Sequence, residues 1–113
     1  MALFYHVTAH DAWSTSIRKS GLVPRAEKRG RFADSAAEPR IYLFADEATA
    51  EDGLQNWLIE EFEGVRWFAL LRVEVPDDWV RDDPEIAGSY YVTQPIPADR
   101  ISLARKIDGG EED

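Results

Sequence analysis

The chain contains no cysteine. That excludes disulfide staples, thiolate metal ligands and a cysteine nucleophile together. Only two histidines are present, His6 and His10, so a zinc centre of the usual nitrogen and sulfur type is short of ligands and no metal is expected. There is no glycine-rich phosphate loop and no nucleophile-elbow motif. No apolar run approaches the roughly 20 residues that a spanning helix needs. The opening Met1-Ala2-Leu3-Phe4-Tyr5-His6 lacks the basic-then-apolar order of a signal peptide. These absences lead to the expectation of a cytoplasmic protein with no membrane association.

Basic residues are also scarce. Thirteen Lys and Arg face 22 Asp and Glu, for a net charge of −9. The imbalance is uneven: residues 1–44 sum to +3 and residues 45–113 to −12. Nucleic-acid affinity of the non-specific kind comes from neutralising phosphates, so an acidic chain is poorly suited to it. The basic stretch 18–31 is the exception and offers either a solvated loop or a phosphate-facing patch. The acidic remainder admits a basic protein partner. At 113 residues with 44% hydrophobic content, the chain is one domain with enough apolar surface for one core. We assign residues 1–107 to it and 108–113 to an acidic tail.

Hydrophobic periodicity sets out the elements. Leu3 to Thr8 alternates as a strand, with Leu3, Tyr5 and Val7 on one face and Phe4, His6 and Thr8 on the other. Thr8-Ala9-His10-Asp11 has capping-box spacing, and a helix is expected from about Ala9 to Ser20, with Trp13 and Ile17 inward. Gly21 suits a left-handed cap. A polar segment, roughly 25–39, separates this from a strand at Arg40 to Phe44. Asp46 can cap a helix over 47–61 whose Ala50, Leu54, Trp57 and Leu58 form an apolar stripe. Trp67 to Val75 is the longest strand; Trp79-Val80, Tyr90 to Thr93 and Ile101 to Ile107 follow. Trp13, Trp57 and Trp67 read as core, Trp79 as an exposed edge residue, and His10 as helix surface. Two early helices and a strand-rich second half indicate an α+β fold with mostly antiparallel pairing.

The order of three segments resembles the ADP-ribosyltransferase superfamily. They are Tyr5-His6-Val7-Thr8; Ser16-Ile17-Arg18-Lys19-Ser20-Gly21-Leu22-Val23-Pro24; and Ile41-Tyr42-Leu43-Phe44 before a helix containing Ala48 and Ala50. Ser89-Tyr90-Tyr91-Val92 with Pro95-Ile96-Pro97 and Ile101 extends the likeness over about residues 3–105. The resemblance implies two small, mostly antiparallel sheets around a nucleotide cleft with two flanking helices, and NAD as the substrate. His6 and Tyr42 are then expected on neighbouring strands, facing one cavity.

The resemblance also implies roles. His6 would hydrogen-bond the nicotinamide-side ribose, and Thr8 would shape the same site. Tyr42 would stack on the nicotinamide, and Arg25 or a neighbouring base would meet the pyrophosphate. ADP-ribose would pass to a macromolecular target through an oxocarbenium-like transition state, in a bacterial or phage setting by analogy. The catalytic glutamate of many members stands immediately before the Tyr-x-Val stretch. Here that place falls to Ser89, followed by Tyr90, so these two join His6 and Tyr42 as the candidate catalytic set. Glu85 is four residues upstream and Asp82 lies further off, and either carboxylate could serve from the loop. Without the glutamate, the alternative expectation is a degenerate member that binds a nucleotide, or a protein partner, without turnover.

Overall fold

The computed structural model describes residues 1–24, 40–54, 65–82 and 89–108. Among them six strands form one antiparallel sheet: β1 (Ala2–Ala9), β2 (Ile41–Phe44), β3 (Trp67–Val75), β4 (Arg81–Asp82), β5 (Ser89–Val92) and β6 (Ile101–Asp108). Their order across the sheet is β4-β5-β2-β1-β3-β6. The α+β class holds. The expected pair of packed sheets is one continuous sheet, because β1 joins strands on both of its sides. Its ladder with β3 is long, running from Ala2 opposite Val75 to Ala9 opposite Phe68. Its ladder with β2 is a single pair, Tyr5 opposite Phe44. The sheet is thus two three-stranded halves with a narrow seam.

Strand alternation divides the buried side chains into two clusters, one on each face. The first contains Ile41, Leu43, Leu71, Val73, Val75 and Val92, with Ile17, Trp13 and Phe4 against them. The second contains Val7, Phe44, Phe68 and Leu70, with Ala50 and Leu54. Helical residues 10–20 (α1) cover the first face and helix α2 (Glu47–Gly53) the second. β3 supplies both clusters from one strand, which explains why Phe68 to Leu71 is apolar without a break.

The local signals are realised with three corrections. Thr8 is still in strand, opposite Ala69, and the residue that caps α1 is Ala9, with no side-chain bond. The pairing with β3 outweighs the capping box. Trp67 is 40% exposed rather than core. It begins β3 near the sheet's β6 edge, beneath the Lys106 ammonium at 4.6 Å. Trp79 is half-buried against the first cluster in a 3₁₀ turn, Asp77–Trp79, rather than exposed in a strand. Within α1, Trp13–Ile17 takes π-helical spacing. The Asp46 cap of α2 is present, with the Thr49 amide donating to its Oδ1 at 2.8 Å. Trp57, Leu58 and the remainder of the expected 47–61 helix lie outside the described residues.

Gly21 ends α1 with φ of +87°, the left-handed region that glycine enters without steric cost. Its amide returns to the Ile17 carbonyl, and Leu22 exchanges two backbone bonds with Ile96, each 2.9 Å. The Gly-Leu-x-Pro turn and the Pro-Ile-Pro segment, distant in sequence, are therefore in direct contact. No helix among the described residues is long and apolar enough to cross a membrane.

Candidate functional site

The seam between β1 and β2 brings the two leading candidates together. His6 Nδ1 lies 2.7 Å from the Tyr42 carbonyl oxygen. A carbonyl only accepts, so Nδ1 carries the proton and the bond ties the strands where their backbone ladder has ended. His6 is half-buried on the apolar face of β1, opposite Leu71. Burial lowers its pKa below the ordinary 6.5, and the bond to Tyr42 opposes that shift without overcoming it. The imidazole is therefore neutral near pH 7. With Nδ1–H engaged, Nε2 is left as a hydrogen-bond acceptor of fixed direction.

Alternation then decides what each side chain sees. Phe4, His6 and Thr8 point to the face covered by α1, as does Tyr90, whose ring meets Phe4 edge-on at 5.4 Å. Tyr42 shares its parity with Phe44, which belongs to the opposite cluster. Its ring lies 6.3 Å from that of Tyr91, its direct partner on β5. The expectation that His6 and Tyr42 face one cavity is corrected. They sit on neighbouring strands, but the register of Tyr5 with Phe44 sends their side chains to opposite faces. Tyr42 serves His6 through its backbone carbonyl rather than its ring.

Ser89 and Tyr90 separate in the same way. Ser89 is opposite Phe44 and only 2% exposed, and its hydroxyl has no hydrogen-bond partner. Tyr90 faces the other side, so the pair does not form one catalytic surface. Asp82 is opposite Tyr90 and shares the His6 face, but three strand spacings separate their strands, roughly 14 Å. No carboxylate on the described strands stands beside the His6 ring. Arg25 and Glu85 lie outside the described residues.

Sequence inspection missed a cross-strand row formed by Arg81, Tyr91 and Tyr42. Arg40 joins it, its guanidinium 4.1 Å from the centre of the Tyr91 ring. The shared parity of Arg40 and Tyr42 was visible in the sequence; their alignment with Tyr91 and Arg81 depends on strand order. A shallow depression of about 100 Å³ is lined by Arg72, Glu74, Asp99, Arg100, Ile101 and Ser102. Its charges are mixed and cancel. No family model matches the chain, and no curated protein and no solved structure matches it.

Proposed function

We propose that the chain is an ADP-ribosyltransferase-like domain that binds NAD or a related nucleotide without transferring ADP-ribose. The observation that carries this reading is the neutral His6 ring, clamped through Nδ1 to the Tyr42 carbonyl at the seam of the sheet. Its Nε2 suits a ribose hydroxyl, which would donate to it. The adjacency of β5, β2 and β1 agrees with the segments that carry the resemblance. Transfer needs a carboxylate to hold the ribose and stabilise developing positive charge. Among the described residues, a buried Ser89 and a distant Asp82 do not supply one, and the Tyr42 ring is across the sheet from His6. A cytoplasmic setting fits a chain with no cysteine. A basic protein partner fits the −12 balance of residues 45–113.

The test is ligand-linked stability with NAD, run beside an assay for released nicotinamide. A ligand at 100 times its dissociation constant adds about 2.7 kcal/mol. For a domain of this size that moves the melting temperature by on the order of 10 °C. The expected result is a shift with NAD, its loss in His6→Ala, and no nicotinamide above the buffer rate. Millimolar NAD with no shift would remove the nucleotide reading. Nicotinamide release that depends on the protein would restore the transferase.

A further inference from the structure

We draw no further inference here: the strongest candidate, the outer edge of strand β6 with Leu103 exposed along it, carries nothing, because nothing in the structure shows what covers it and its register shift beside Leu103, with Arg105 and Lys106 following, blunts it against another strand.

Discussion

The His6 imidazole and the Tyr42 carbonyl oxygen, 2.7 Å apart, form a side-chain bond that continues the connection between β1 and β2 beyond the Tyr5 and Phe44 pair. Burial of this ring has a pH signature, which the bond only reduces. The folded pKa of His6 is below 6.5, so the unfolded chain takes up the proton first as pH falls. Stability from this group is complete above about 6.5 and is lost below it, until the folded ring is protonated too. The slope in that window is at most about 1.4 kcal/mol per pH unit. His6→Asn keeps a donor of similar reach but does not titrate. Urea denaturation of both proteins between about pH 5 and 7 should show the wild type losing stability relative to His6→Asn; parallel curves would refute the assignment.

Gly21 admits no side chain. A Cβ there would run into the carbonyl oxygen of Ile96, and the Ala98 amide nitrogen is only 3.0 Å away. Both obstacles are backbone, so neither can swing aside. The positive φ adds its own cost for any L-residue, about 1–2 kcal/mol. Gly21→Ala should therefore lower unfolding free energy by roughly 3 kcal/mol or more, read as a fall in denaturation midpoint. A loss under about 1 kcal/mol would show that this turn is looser than described.

Ser89 tests the family glutamate position directly. Its buried hydroxyl lacks a partner, and an unsatisfied polar group costs about 1–3 kcal/mol. Ser89→Ala should leave stability unchanged or raise it by about 1 kcal/mol. Ser89→Glu should destabilise by about 3 kcal/mol or more, because it buries a carboxylate opposite Phe44. It should not generate nicotinamide release. A well-folded, active Ser89→Glu would contradict the placement of position 89 on the face away from His6.

Two large hydrophobic residues should respond in opposite measure. Leu43 is fully buried at the centre of the sheet and Trp67 is 40% exposed near its edge. Leu43→Ala should cost about 2–5 kcal/mol. Trp67→Ala should cost under about 1.5 kcal/mol, despite the greater volume removed, and iodide should quench the Trp67 contribution to fluorescence. Equal losses would place Trp67 in a core that the fold does not give it.

Much was legible before any coordinates. Trp67–Val75 was readable to the residue because apolar residues dominate it between Arg66 and the strand-ending Pro76. The strands at 41–44, 89–92 and 101–108 were displaced by one residue at most at any end. Asp46 and Gly21 announced their caps by chemistry that acts within four residues. The antiparallel α+β class followed from the same local signals. Alternation also separated His6 from Tyr5, and Tyr42 from Leu43, within each strand.

Sequence alone could not say which set in one strand shares a face with which set in the next. That depends on register, and a shift of one residue would exchange the faces. The pairing of Tyr5 with Phe44 settled it: His6 lies under α1, Tyr42 lies beside Tyr91, and the candidate site divides between two surfaces. Strand order then created the Arg81, Tyr91 and Tyr42 row from three segments whose separate patterns carry no sign of one another. Local sequence determined the elements and their inner and outer residues; the tertiary structure decided which of those residues meet, because inter-strand contacts are chosen by packing both faces of the sheet at once.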